Sequence, residues 1–427
     1  MIRKLFRLGI NLSTSDTARH LYWVFSGNIL STILTFFTLV ILIAPRISKG
    51  DYGIFLALFT LASLLSDLGE AGLGGALTKF IPPLMLAGKK AQVKSYLSTA
   101  YKIEFIISLV FGISIFLLAQ PLAQRWFAGT NPINLFVTAI LTSLMIFLTF
   151  ATFALSAQKK FPEMTVVNVF YSLIRLLLLV IAVFFFHINI LIILVIYTLA
   201  TLLAWLYTFI FLGVDFINSP YEREKARELG KFAVFLALQK VLVSISSRID
   251  LLMLVPLAGA IEAGVYGMAS RFSLVYPLLV SSLGQVLSPK FAEFQGGKEA
   301  TTFFKKSAIL VGGLLFSLIF FYFFAASFIQ IFVVDYLDAI PVLKGLLISM
   351  APFIVATPFV SLLTYTLKKP YIVTTASLLQ LLVIVSSNVY FLPLLGRYAP
   401  AIGIGLGNLA VCTFTIVATW YYLRKTS

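Results

Sequence analysis

Lys240, Ser244, Ser247 and Arg248 follow one another at intervals of four, three and one, which on a helix makes a single polar stripe. They interrupt an otherwise apolar stretch, FAVFLALQKVLVSISSRIDLLMLVPLAG. Two further arginines stand in equally apolar company, Arg175 in FYSLIRLLLLVIAVFFF and Arg271 in VYGMASRFSLVYPLL. Charges among apolar side chains are costly unless they are paired or face water. Arg175, Lys240, Arg248 and Arg271 therefore predict a cationic wall suited to an anion, phosphate above all, because a guanidinium can bind two phosphate oxygens at once. The competing reading is a set of scattered structural pairs. Acidic residues are fewer. Asp67 and Glu70 are three apart beside LGEAGLGGAL; either both face solvent at a helix exit, or one takes up a proton or a cation. Asp250 is two residues from Arg248 and cannot face it on one helix, so it either pairs with a neighbouring helix or couples to an ion. Asn28 and Asn388 line a cavity or serve as polar packing.

The elements that carry these residues follow from composition. Of 427 residues, 60% are hydrophobic and 11% charged, with a mean hydropathy of +1.02. Soluble domains run about 45–50% apolar and about 25% charged, so a soluble enzyme, a disordered chain and a disulfide scaffold are excluded. Cys412 is the single cysteine, and with only His20 and His187 beside it no metal site can be assembled. The glycine run Gly403, Gly405 and Gly407 has no preceding strand, so it reads as helix packing; no cofactor is expected. The N-terminal segment lacks a cleavable signal pattern, so the first span is expected to be retained.

Apolar runs and polar breaks predict an all-α polytopic membrane protein with twelve transmembrane helices. The spans fall near 23–44, 53–75, 97–119, 132–156, 164–186, 189–212, 231–257, 264–288, 307–334, 342–366, 371–393 and 400–423. Net charge is +16. Segments on one side carry twenty-two Lys and Arg, those on the other only Arg46, Lys49, Arg125, Lys344 and Arg397. This asymmetry orients the chain with both termini in the cytoplasm and accounts for the basic balance without nucleic acid. The break at 213–230 separates a six-helix lobe at 1–212 from another at 231–427. Tyr52-Gly53, Lys79-Phe80 and Gly88-Lys89 recur in order as Tyr266-Gly267, Lys290-Phe291 and Gly297-Lys298. The halves thus read as a repeat related by a parallel pseudo-twofold, an arrangement that in transporters puts the binding site between halves at mid-depth.

Three stretches carry a family resemblance: APRISKGDYGIFLALFTLASLLSDLGEAGLGGALTKFIP, RIDLLMLVPLAGAIEAGVYGMASRF and DYLDAIPVLKGLLISMAP. They resemble corresponding regions of the oligosaccharide or O-antigen flippases of the multidrug/oligosaccharidyl-lipid/polysaccharide exporter superfamily. The resemblance implies two six-helix lobes around a V-shaped cavity, alternating access, and a polyprenyl-diphosphate-linked oligosaccharide cargo moved from the inner to the outer leaflet of the cell membrane. Its signature residues here are Asp250, Tyr52 and Tyr266. The absence of two extra C-terminal spans argues against the peptidoglycan-precursor branch. A monomer among membrane lipids is expected, with H+ or Na+ as coupling ion and glycan polymerase machinery as partner. Two alternatives stay open. A multidrug exporter of the same superfamily would carry cationic cargo and favour acids, whereas basic intramembrane candidates outnumber acidic ones. A membrane polymerase or ligase would need a charged outer loop, and the longest, Gln120 to Asn131, carries Arg125 alone. No enzymatic activity is expected.

Overall fold

The structure is a computed structural model that describes residues 16–70, 72–293 and 298–426. Arg3, Lys4 and Arg7, three of the twenty-two basic residues counted for orientation, and Gly297 of the repeat lie outside the described residues. Sixteen α-helices and no strand occur among the described residues. They are α1 (Asp16–Phe36), α2 (Lys49–Glu70), α3 (Leu73–Leu86), α4 (Lys90–Leu117), α5 (Ala119–Arg125), α6 (Pro132–Ala157), α7 (Phe161–Phe185) and α8 (Ile190–Leu212). Then come α9 (Arg223–Ser246), α10 (Ile249–Ala258), α11 (Ala260–Ser273), α12 (Val275–Glu293), α13 (Lys298–Phe332), α14 (Ile340–Ser361), α15 (Pro370–Leu395) and α16 (Ala399–Thr426).

Nine stretches among the described residues are long and apolar enough to cross a membrane, or ten if the bent pair within 223–246 is one span. One of the nine, Pro370–Arg424, has 55 residues, roughly 80 Å at about 1.5 Å per residue. The hydrocarbon core is about 30 Å thick, so α15 and α16 are two crossings joined at Gly396–Tyr398. Each of the twelve expected spans coincides with a helix or a broken helix. Pro277 predicts a kink in the eighth span; the break in the seventh has no such mark in the sequence. The seventh span stops at Ser247–Arg248 between α9 and α10, and the eighth is interrupted at Leu274 between α11 and α12. The stripe from Lys240 to Arg248 is therefore not continuous: Arg248 sits in the turn ahead of α10.

The chain forms two compact units. The first holds the described residues up to Arg46, Leu61–Ala123 and Asn131–Val241. In it α6 packs against α4, α8 and α3, and α1 against α7. Pro132 opens α6, while the Asn131 side chain accepts the Ile133 N–H at 3.0 Å; Asn189 does the same for Ile192 at the start of α8. This unit extends past 213–230 because that segment is bound to α4. Phe216 is 3% exposed, in a core with Tyr96, Leu97, Phe150 and Leu229. Ser98 and Lys102 each donate to the Ser219 carbonyl at 2.7 Å, and Lys94 pairs with Asp215 at 2.8 Å. Ser95 and Tyr96 donate to Glu222 and Glu228.

The second unit holds Ile47–Thr60, Gln124–Thr130 and Leu242–Ser427. In it α16 packs on α15 and α14. A methyl carbon at Gly403 would press on Asn388 Oδ1, one at Gly405 on Ser349, and one at Gly407 on Ile384. The glycine run is thus a helix-packing surface. The repeated Tyr-Gly pairs meet here: Gly53 lies against the backbone of Ala260 and Gly264, and Gly267 against Leu56. Tyr52, fully buried, meets Tyr336 edge-on at 5.9 Å.

Candidate functional site

In the first unit α2 ends at Glu70, Gly72 takes φ +82°, and α3 restarts at Leu73. A left-handed residue there turns the chain without the steric cost a side chain would add. The turn folds the Glu70 carboxylate back over the new helix, where it accepts the Gly74 N–H at 2.5 Å and the Gly72 N–H at 3.4 Å. A side chain at Gly74 would collide with Phe153 and crowd Glu70 Oε1, so glycine is what allows the approach. Lys240 of α9 forms an ion pair with Glu70 Oε2, and its Nζ lies 5.1 Å from the centre of the Phe153 ring. Glu70 is 1% exposed, whereas Lys240 keeps 30% of its side chain accessible. The reading that put Glu70 in solvent is corrected: the helix break encloses it. Asp67, one turn earlier, is half-buried.

Arg175, placed by sequence on a cavity wall, is instead enclosed at 2% exposure. Its Nη2 donates to Thr35 Oγ1 at 2.6 Å, and its guanidinium lies 5.0 Å from the Tyr171 ring and 4.8 Å from the Tyr197 ring. Aromatic faces attract a desolvated guanidinium, so α7 carries it inward to tie α1 to α8. Glu104, one turn along α4 from Tyr101, is fully buried, and neither carboxyl oxygen has a hydrogen-bond partner among the described residues. Snorkelling to the surface is therefore excluded for Glu104, while Lys102 reaches the docked 213–222 segment.

In the second unit Asp250 lies in the first turn of α10, where it accepts the Leu251 N–H at 2.8 Å and the Tyr266 hydroxyl of α11. The two signature residues of the second repeat are thus bonded to each other. Arg271, in the last turn of α11, is close enough for its charge to act on both, and its Nε has no hydrogen-bond partner among the described residues. Ser244 is buried and accepts from Ser247 at 3.1 Å through its carbonyl. Asn388 is fully buried against Gly403, with its amide lacking a hydrogen-bond partner among the described residues. Asn28 is exposed, and its carbonyl serves Thr32. Four charged groups that sequence reasoning left among the loops form a network: Lys49 with Asp338 at 2.8 Å, Asp338 with Arg397 at 2.7 Å, and Arg397 with Glu262. Two apolar grooves flank the end of α16, one of about 200 Å³ lined by Phe304, Phe359 and Trp420, the other of about 350 Å³ lined by Tyr371 and Tyr422. None of the candidate site residues lines either groove.

The polysaccharide biosynthesis protein model matches residues 2–295, more than half of the chain. This protein belongs to that family. No curated protein matches it in sequence. Among solved structures, an inward-facing multidrug resistance MATE family transporter of the MOP superfamily superimposes with a TM-score of 0.77 at 15% identity, covering 99% of both chains. The lipid II flippase MurJ in its inward closed conformation gives 0.74 at 15% identity, over 92% of this chain and 87% of that one. A MOP superfamily transporter from Pyrococcus furiosus gives 0.62 at 14% identity, over 95% and 93%. The family member described here is a multi-pass, all-helical membrane protein with the two-lobe repeat fold of these transporters.

Proposed function

We propose that the protein is a flippase that moves a polyprenyl-diphosphate-linked oligosaccharide from the inner to the outer leaflet of the cell membrane, for surface polysaccharide assembly. One coincidence carries the reading: a chain of the polysaccharide biosynthesis family has the fold of a lipid II flippase over 92% of its length. Lys240 adds chemistry that suits it, a partly accessible ammonium within an apolar unit. Within this reading the lobes at 1–212 and 231–427 alternate access, both termini are cytoplasmic, and 213–230 is a cytoplasmic connection. The flippase works as a monomer with H+ or Na+ as coupling ion, hands its product to glycan polymerase machinery, and catalyses no reaction. Of the site residues, Lys240 is assigned to the cargo's phosphates, Arg248 and Arg271 are anion-binding candidates within their own unit, and Asp67, Glu70 and Asp250 are assigned to ion coupling; Arg175 is assigned to structure.

The test is reconstitution in vesicles with a lipid-linked oligosaccharide, scoring the sugar that becomes accessible to an added lectin. Accessibility no faster than in protein-free vesicles would refute the reading. A multidrug exporter is the second reading, favoured by the higher TM-score of the MATE transporter. It predicts pH-driven movement of a cationic dye in the same vesicles, and none of the oligosaccharide.

A further inference from the structure

Lys240 and Glu70 are unequal partners. Glu70 is 1% exposed and anchored by the Gly72 and Gly74 N–H groups, so it cannot follow if its partner leaves. Lys240 is 30% exposed and carries its charge on four methylenes, so it can turn. An anion arriving from the accessible side meets the ammonium first. Resting on the flippase reading, we propose that Lys240 changes partner, from Glu70 to the diphosphate of the cargo, and that Glu70 takes one proton from water as it is left behind. The physical reason is that a buried carboxylate stripped of its counter-ion is disfavoured against its protonated form.

The surroundings favour this exchange. Helix α2 also carries Asp67, a second acid. Helix α4 carries Glu104, buried without a hydrogen-bond partner among the described residues. Helix α3 carries Lys79, whose Nζ lies 3.9 Å from the centre of the Phe232 ring. Helix α6 has no charged residue and presents Phe153 and Ile146, and the other charges of α9 lie between Arg223 and Lys231. The ion pair shown for Glu70 among the described residues is the one with Lys240. Binding of cargo and of proton are then linked reciprocally: wherever Glu70 is ionised when free and protonated when cargo is bound, cargo affinity falls about tenfold per unit rise in pH.

The probe is farnesyl-diphospho-N-acetylglucosamine, a diphosphate diester. It lacks the ionisation near pH 6 that a terminal phosphate would add. Binding to the full-length protein in lipid nanodiscs is measured from pH 5.5 to 8.5, with proton uptake followed by a dye in weak buffer. Wild type is expected to take up about one proton per probe bound. Glu70→Gln should bind without proton uptake, independently of pH, and more tightly than wild type at pH 8.5. Lys240→Ala should lose about 30-fold or more in affinity. Binding by wild type with no proton uptake would overturn the exchange while leaving the flippase reading intact, and this measurement needs no variant to fold. Absence of binding by folded wild type and Glu70→Gln alike would overturn both. The same response to phosphatidylglycerol would assign Lys240 to ordinary lipid headgroups and overturn the exchange.

Discussion

Lys240 and Arg175 look alike in sequence, each a lone cation in an apolar helix, yet their surroundings differ. Arg175 has its guanidinium between two tyrosine rings and its donor on Thr35. Arg175→Met should therefore lower thermal stability and yield, while the folded fraction keeps its transport rate per molecule; a stable but inactive variant would contradict the structural assignment. Lys240→Met leaves the Glu70 carboxylate buried and unpaired, a loss of about 3–5 kcal/mol for a broken buried pair. Adding Glu70→Gln removes that orphan charge. The double variant should regain most of the melting temperature of wild type, because the amide is neutral and its oxygen can still accept the Gly74 N–H, although its NH2 group cannot accept from Gly72; it should not regain transport. Recovery of both would reduce the pair to a structural device.

At the scale of elements, α2 and α11 approach so closely that a side chain at Gly264 would overlap the Lys49 carbonyl. Overpacking typically costs about 1–3 kcal/mol and more where backbone is the obstacle. Gly264→Val should thus lower the melting temperature sharply, whereas Gly284→Ala, whose added carbon meets nothing within 4 Å, should leave it within a degree or two. The 213–222 segment makes a different prediction. Lys94 holds the Asp215 carboxyl below its ordinary value by a hydrogen bond, and Lys225, with Ser95, does the same for Glu222. A depressed carboxylate contributes above its unfolded value and loses that contribution as pH falls through the folded one. Docking should be unchanged from pH 8 to 5 and should loosen only below about pH 4, where carboxylates ordinarily titrate. Hydrogen exchange across 213–222, corrected for intrinsic rate, measures this; loosening already at pH 6 would place its stability elsewhere.

For the whole molecule, the twelve-span reading places consecutive loops on opposite sides. Cysteines at Asn218 and Gln124, both exposed, lie in inter-span segments of opposite predicted side. In intact cells the Asn218 position should be labelled only after permeabilisation and the Gln124 position without it. Equal access to both would break the topology, and with it the direction of flipping.

Hydropathy was enough to read the membrane class and the helix positions, and recurring residue pairs the repeat, because apolar length and residue order are properties of the chain that no packing can alter. The glycine run at 403–407 was legible for a similar reason: without a strand before it, only helix packing remained. Tertiary structure alone decided which charges work together. Glu70 and Lys240 are 170 residues apart in sequence, and their meeting depends on a helix break at Gly72 that turns the carboxylate inward. For Arg175 the sequence left a cavity wall and structural pairing both open; its partners are a hydroxyl and two aromatic rings, and nothing in the sequence marks those as counterparts of a cation. Arg248 left its stripe because α9 stops at Ser246, a break carried by no proline or glycine. Periodicity records which way a residue points from its own helix; which neighbour it then meets is set by how the helices pack.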